Sequence, residues 1–362
     1  MRSRAAPLDE LRRLCHVWLA TREFSLEPLA GGFSGSPLFL VRTPDAAHVL
    51  KAFAPGTSPG RARFVHALVR HLRRRGVAEV PAVLDPPAGE SFLADREGRL
   101  WELQAFVAGQ PVTAPSLRQV GSALEVLARL HAAAAEMPEN PPDTGPSPGI
   151  ARRVEQARAW LASPWHRLRD AAASSTAGGP LARLVAERLG AACDRLRAAD
   201  GERIIAAVAA IEPQPVGRQA VLRDVWAAHV LFDAPATDRV TGVIDVHAAA
   251  TDTPATDLGR LLGSWMTADA VAPEWWAERL VAYDALPQAE GALRLVPFLA
   301  ASGILFGLDN WFRWVLEAGR TFDRPDEVTA RLDWLVSMLP TALEILANRR
   351  NELGLTAENC SL

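Results

Sequence analysis

One change in the spacing of apolar residues constrains this chain more than any other feature. Up to about residue 107 the candidate elements are short, β-like runs: residues 24–29 and 37–41 flank the turn Gly31-Gly32-Phe33-Ser34-Gly35-Ser36, and 48–53 follows the turn Pro44-Asp45. Residues 91–94 and 100–107 are further strand candidates. One helix interrupts them over 61–75, where Phe64, Leu68 and Leu72 recur at helical spacing and Gly76 supplies the stop. Gly109 and Pro111 then break the chain. Beyond them the pattern is helical, over 117–135, 151–161, 181–196, 255–268, 275–285, 293–318 and 326–348. The spacing predicts an α+β fold of two lobes: a small antiparallel β-rich N-lobe over 1–107 and a larger, mainly helical C-lobe over 108–362. Within the C-lobe, the proline-rich residues 137–149 predict an extended loop and 171–180 a mobile one.

One stretch of the helical half departs from that pattern. Residues 220–222 and 229–232 read as short strands around a loop, and 240–244 as the strand that returns after a turn at 233–238. Asp224 sits in the loop, His229 five residues later, and Asp245 at the end of the returning strand. Two carboxylates and an imidazole therefore converge at one end of a hairpin, as a metal-phosphate centre requires. Lys51 is the sole lysine among 39 basic residues, and it follows the glycine turn on the third strand. A compact ammonium held there can do what a planar guanidinium cannot. Phosphoryl transfer needs a backbone cradle, a cation, metal-binding oxygens and an acid that orients the attacking hydroxyl, and candidates for all four occur in order. The glycine turn joins two strands, so neither a Walker A loop nor a dinucleotide-binding turn fits. Singly, each residue also has a plain explanation, as hairpin turn, turn aspartate, strand-end cap or core histidine. The ordered set favours the site.

The segment Leu222-Arg223-Asp224-Val225-Trp226-Ala227-Ala228-His229-Val230-Leu231-Phe232 resembles the catalytic loop H-G-D-x-x-x-x-N-V-L-F of the aminoglycoside phosphotransferase and choline kinase superfamily. Gly242-Val243-Ile244-Asp245, then Asp257-Leu258, resembles that family's I-D segment and its later D-L-A. Leu127-Ala128-Arg129-Leu130-His131 is similar to its L-A-x-L-H helix end, and residues 101–109 to its inter-lobe hinge. The resemblance runs from about residue 26 to 262.

It implies a protein-kinase-like fold that moves the γ-phosphate of ATP or GTP to a hydroxyl of an aminoglycoside-, choline- or sugar-like small molecule. In that reading Asp224 orients or deprotonates the hydroxyl, and Asp245 with His229 holds Mg2+ or Mn2+. Lys51 and a cradle at Gly32, Ser34 and Gly35 contact the phosphates, and backbone groups around Gln104 to Phe106 bind the base. The chain departs from the family in having Leu222-Arg223 for H-G and His229 for the metal-binding asparagine. No acid occurs between Asp45 and Glu79 to give Lys51 a helix-borne partner, which leaves Asp245 as its expected counter-ion without nucleotide. The competing reading is a nucleotide-binding pseudokinase with a regulatory or scaffold role.

Composition narrows the partners. A net charge of −3 gives no general attraction to nucleic acid or anionic membrane. The run Arg61, Arg63, Arg70, Arg73, Arg74 and Arg75 reads as a solvated helix face. Residues 295–308 are too short to span a bilayer and read as a core helix. Cys15, Cys193 and Cys360 are too scattered for a zinc site or a disulfide framework, and the arginines near the start precede no apolar run, so a cytoplasmic monomer or homodimer is expected. H-E-x-x-H does not occur. Asp309 and Asn310 are candidates for contacting a polar acceptor.

Overall fold

The structure, a computed structural model, describes residues 8–19, 23–29, 32, 36–173, 179–284 and 293–348. It opens with helix α1 (Leu8–Trp18), then β1 (Ser25–Leu29), β2 (Leu38–Arg42), β3 (Ala47–Ala52), α2 (Pro59–Arg74), β4 (Leu93–Ala94) and β5 (Leu100–Ala105). The strands form one antiparallel sheet in the order β1-β2-β3-β5-β4. Because successive side chains in a strand point to opposite faces, Leu50 and Ala52 of β3 and Trp101 and Leu103 of β5 turn to one side. There they pack with Leu11, Leu14, Cys15 and Trp18 of α1. Burying each such large side chain contributes roughly 1.5–3 kcal/mol. Lys51 and Glu102, a cross-strand pair in register, face the other side, toward α2 and the cleft. The period-two pattern thus both builds the core and aims the lysine.

Helix α1 is an element that the sequence reading did not anticipate. Its four buried apolar positions, Leu11, Leu14, Cys15 and Trp18, recur at i, i+3, i+4 and i+7, a one-sided stripe that Arg12 and Arg13 interrupt. Burial pushes the Cys15 thiol up to about 12, so it is an inert packing group. Helix α2 begins at Ser58, whose hydroxyl accepts from the Arg61 N–H, and carries Pro59 at its first position.

The helical lobe contains β6 (Gln110–Pro111), α3 (Leu117–Ala135), β7 (Asp143–Pro146), α4 (Pro148–Ala162), α5 (Trp165–Ala173), α6 (Pro180–Ala198), α7 (Gly201–Ala209), β8 (Pro215–Val221), β9 (Val230–Phe232), β10 (Val240–Val243), β11 (Ala250–Asp252), α8 (Ala255–Ser264), α9 (Pro273–Asp284), α10 (Val296–Phe312) and α11 (Pro325–Asn348). Its two small sheets, β10-β9-β6 and β11-β8-β7, stand among helices that share one continuous core. The two-lobed α+β architecture is as expected. Residues 137–149 are not all loop: β7 pairs with β8, and Arg218 clamps Asp143 at 2.6 Å. Part of the loop expected over 171–180 lies outside the described residues. Among the described residues, one stretch, Leu293–Glu317, is long and apolar enough to cross a membrane. It is longer than expected, but 78% of its apolar window is buried in the fold, as a core helix requires.

The link between lobes is fixed against the β9–β10 hairpin. Gly109 has φ +151, and a Cβ there would fall 2.4 Å from Thr241 Oγ1. A Cβ on Gly242 would meet Val107 at 2.6 Å. Both glycines are therefore required for the hairpin that ends in Asp245 to lie under the link.

Candidate active site

Asp224 and Asp245 are delivered by the loop after β8 and the end of β10, and both places hold strained backbone. Arg223 has φ +66 and Asp245 φ +62, the left-handed region that favours glycine. The strain at Arg223 is held by Asp257 of α8. Its carboxylate accepts the Arg223 N–H at 2.5 Å and the Leu222 N–H at 2.8 Å, while His131 at the end of α3 donates to it at 3.0 Å. Asp257 is fully buried, and Tyr283 holds the other nitrogen of His131 at 2.7 Å. The two motifs that flank the catalytic-loop segment in sequence thus meet beneath it.

Lys51, 6% exposed, reaches across the cleft to Asp245 Oδ1 at 2.6 Å, the partner expected from the absence of a helix-borne acid. Burial raises the Asp245 pKa, but Lys51 and then His229 outweigh it and hold the carboxyl below its ordinary value. Asp224 Oδ1 accepts from Arg260 Nη2 at 3.0 Å and Nε at 3.2 Å. His229 lies between the carboxylates, 3.9 Å from Asp224 Oδ2 and 3.8 Å from Asp245 Oδ2. Its Nε2 accepts the Trp226 indole N–H at 3.1 Å, which makes Nδ1 the protonated nitrogen, donating to the Asp224 carbonyl at 2.7 Å.

A divalent cation fits this arrangement. Ligand atoms of Asp224, His229 and Asp245 lie within 4.8 Å of one another, and Oδ2 of each carboxylate makes no hydrogen bond among the described residues. The carboxylate oxygens are available as they stand. The imidazole nitrogen is available only if Trp226 gives it up.

Behind Lys51 lies a buried network that the sequence reading missed. Glu102, 2% exposed, accepts from His66 of α2 at 2.6 Å, from His247 at 2.7 Å and from the Gln104 amide at 3.2 Å. His66 in turn accepts the Ser91 hydroxyl at 2.6 Å. Burial alone raises the Glu102 pKa, yet the two imidazoles more than offset it and hold the carboxyl well below the usual range. His247 also stacks on Phe53, centroids 4.1 Å apart, and its carbonyl accepts from Arg61 at 2.7 Å. Glu102 is thus held by two imidazoles and the Gln104 amide rather than by Lys51, whose partner is Asp245.

The remaining expected positions divide. Gly32 lines the cleft with the two aspartates, while Ser34 and Gly35 lie outside the described residues. Gln104 is buried beside Glu102, and Phe106 is 42% exposed on the link. The N–H groups of Ala105 and Phe106 already donate to Ala82 and Ala47, at 2.8 and 3.0 Å. Those two donors are spent on the sheet. Asp309 turns out to be structural: it accepts from Trp165 at 2.9 Å and from Arg313 at 3.0 Å, whereas Asn310 lines the cleft.

The fold has counterparts among known proteins. The family model described as phosphotransferase enzyme family matches residues 25–296. No curated protein is significantly similar in sequence. Among solved structures, spectinomycin phosphotransferase in complex with ADP and spectinomycin gives a TM-score of 0.62 at 12% identity, over 94% of this chain and 97% of that one. The aminoglycoside phosphotransferase from Alicyclobacillus acidocaldarius subsp. acidocaldarius DSM 446 gives 0.59 at 13% identity over 98% of each chain. The microcompartment-associated aminopropanol kinase gives 0.53 at 14%, over 97% and 99%. At these identities the likeness establishes the fold.

Proposed function

The chain belongs to the phosphotransferase enzyme family, and we propose that it is a cytoplasmic small-molecule kinase that moves the γ-phosphate of ATP or GTP to a hydroxyl. The observation that carries the reading is the meeting of Lys51, Asp224, His229 and Asp245, drawn from both lobes, in one cleft with Gly32. In the bound state Lys51 exchanges its contact with Asp245 for the nucleotide phosphates, releasing that carboxylate. Asp245, with His229, would hold a divalent cation, which would supply charge neutralisation at the phosphates when bound. Asp224 orients the acceptor hydroxyl and takes its proton. The acceptor oxygen–phosphorus bond forms as the bond from Pγ to the β–γ bridging oxygen breaks, and the nucleoside diphosphate leaves with that electron pair. The spent donors of Ala105 and Phe106 leave the Phe106 ring and nearby carbonyls on the link to meet the base.

The test is thermal stabilisation of the full chain by AMP-PNP or GMP-PNP with Mg2+ or Mn2+, since a ligand bound only by the native state raises its apparent stability by mass action. Stabilisation by one of them is expected. No shift with either nucleotide at saturation removes both the kinase and the pseudokinase readings. If a shift occurs but no acceptor across a broad panel is phosphorylated, the pseudokinase reading gains.

A further inference from the structure

The cleft that holds Asp224 and Asp245 continues into the helical lobe as a cavity of about 690 Å³, and its charge is one-sided. Six arginines line it: Arg152 and Arg153 from α4, Arg260 from α8, Arg331 from α11, and Arg223 and Arg320 from loops. The acids that line it are Asp224 and Asp245, and both are already paired, with Arg260 and Lys51. A third carboxylate, that of Asp252, is fully buried nearby and 3.9 Å from Arg223. Arg152, Arg153, Arg320 and Arg331 form no ion pair with any described carboxylate.

These cations are built into the wall. Arg153 anchors one nitrogen on Gln156 at 2.9 Å, while its buried Nε has no partner and its Nη2 faces Gly303 of α10, where a Cβ would stand 3.6 Å away. Arg331 lies over Trp334 and Trp226, 4.5 and 5.2 Å from the ring centroids, and Arg260 shares the Trp226 ring at 5.9 Å. Burial, and then the charges of Arg260, Arg152 and Arg223, lower the Arg153 pKa to about 9. Burial, and then Arg260, lower that of Arg331 to about 10. Both remain charged at neutral pH, and neither has a carboxylate partner among the described residues.

Resting on the phosphotransferase reading, we infer that the acceptor is an oxyanion: a hydroxy compound that carries a phosphate ester or carboxylate, which the α4 and α11 arginines bind while its hydroxyl meets Asp224. An acceptor bearing ammonium groups would bring a like charge among unpaired guanidinium groups, which disfavours it. The anion in question is not the nucleotide's own triphosphate. Those phosphates belong beside Lys51 on β3, whereas Arg153 and Arg331 stand on helices that pack against α10 within the helical lobe. Trp311 and Trp314 give the same cavity an aromatic flank for the body of the acceptor, and Gly303 and Gly307 leave it room along α10.

The test is calorimetric titration of the full chain with its nucleotide site saturated by AMP-PNP and metal. The probes are citrate and glucose 6-phosphate as anions, glucose as the neutral match, and choline and kanamycin as cations. The anions are expected to bind, more weakly as salt rises, and the neutral and cationic probes are not. Arg153→Gln, and separately the exposed Arg152→Gln, should each weaken citrate binding about tenfold, as loss of a charge-assisted hydrogen bond does, with AMP-PNP affinity unchanged. Binding of choline or kanamycin as tight as that of the anions overturns the inference. So does failure of both anions to bind, or wild-type citrate affinity in both variants. Absence of binding by both AMP-PNP and GMP-PNP overturns instead the reading on which the inference rests.

Discussion

The two ends of the cleft handle charge in opposite ways. At the sheet end Lys51 has a carboxylate at 2.6 Å, and Glu102 behind it has two imidazoles within 2.7 Å. At the helical end Arg153 keeps a buried Nε without a partner, and Arg331 lies over the Trp226 and Trp334 rings beside Arg260, with no carboxylate partner among the described residues. The difference teaches what each end must do to bind. A nucleotide entering the sheet end has to open an existing ion pair, so part of its interaction energy is used in exchange. An anion entering the helical end meets cations whose desolvation was completed on folding. Asp224, tied to Arg260, stands at the boundary between the two regimes.

The largest expected effect lies at that boundary. Asp224→Asn should lower phosphate transfer by about a thousandfold, the range for loss of a positioned acid–base group, while AMP-PNP affinity stays within about twofold because the carboxylate acts on the acceptor. Paired turnover and calorimetric measurements check this. Equal turnover in the variant would leave Asp224 as nothing more than the counter-ion of Arg260.

Next in size is Lys51→Ala at the matched end. Nucleotide affinity should fall by roughly 10- to 100-fold, the scale of a hydrogen bond to a charged group. Lys51→Arg should not restore it, because a planar fork cannot replace a compact ammonium in a pocket this closed. Full rescue by arginine, read by calorimetry, would show that any cation suffices and would erase the distinction between the two ends.

Glu102→Gln probes the same end through pH. The folded-state pKa of Glu102 is depressed, so its contribution to stability is present above the ordinary carboxylate value near 4.5 and is lost as pH falls below it toward the folded value. The variant should lose about 2 kcal/mol at neutral pH, as when one side of a buried charged hydrogen-bond set is removed. It should also show a flatter decline than wild type below about pH 4.5. Chemical denaturation at several pH values reads both. Parallel acid limbs would mean that the two histidines do not hold the charge.

How much of this was legible follows from where each signal lives. Lys51, Asp224, His229 and Asp245 could be placed because strand alternation and a short hairpin are local patterns, and these brought all four into one cleft. Helix α1 was lost because it is only 11 residues long and Arg12 and Arg13 interrupt the four-residue apolar stripe that it buries. Helices α5 and α7, each nine residues, have too few turns to display a period. Glu102 read as one more residue of the link, since nothing local shows that His66, 36 positions away, and His247, 145 away, close on it. The basic face of α2 behaves as expected at Arg63, which pairs on the surface with Glu90, but not at Arg61, which turns inward to the His247 carbonyl. The arginine cavity was illegible for the same reason. Its members come from α4, α8, α11 and two loops, and a count of arginines does not say which ones share a wall.

The smallest expected effect tests the unmatched end without any ligand. If Arg153 is held charged in a wall without a counter-charge, folding carries a cost that a neutral side chain of similar length avoids. Arg153→Met keeps the methylene stem packed against α10 and removes the guanidinium from the field of Arg152, Arg223 and Arg260. Replacing an uncompensated buried charge by an apolar group is commonly neutral or stabilising, so the ligand-free variant should melt about 2 °C higher, equivalent to roughly 1 kcal/mol in a chain of this size. The sign with pH follows from the same depression. A cation whose folded pKa is lowered to about 9 destabilises the fold below that value, and the penalty fades as pH rises above it. The advantage of the variant should therefore be full at pH 7 and smaller at pH 10. The same substitution should weaken citrate binding, so stability and anion affinity move in opposite directions, as at sites where function retains a strained charge. If Arg153→Met instead melts several degrees lower at pH 7 and leaves citrate affinity intact, the guanidinium is a structural group, and the two ends of the cleft do not differ in the way proposed.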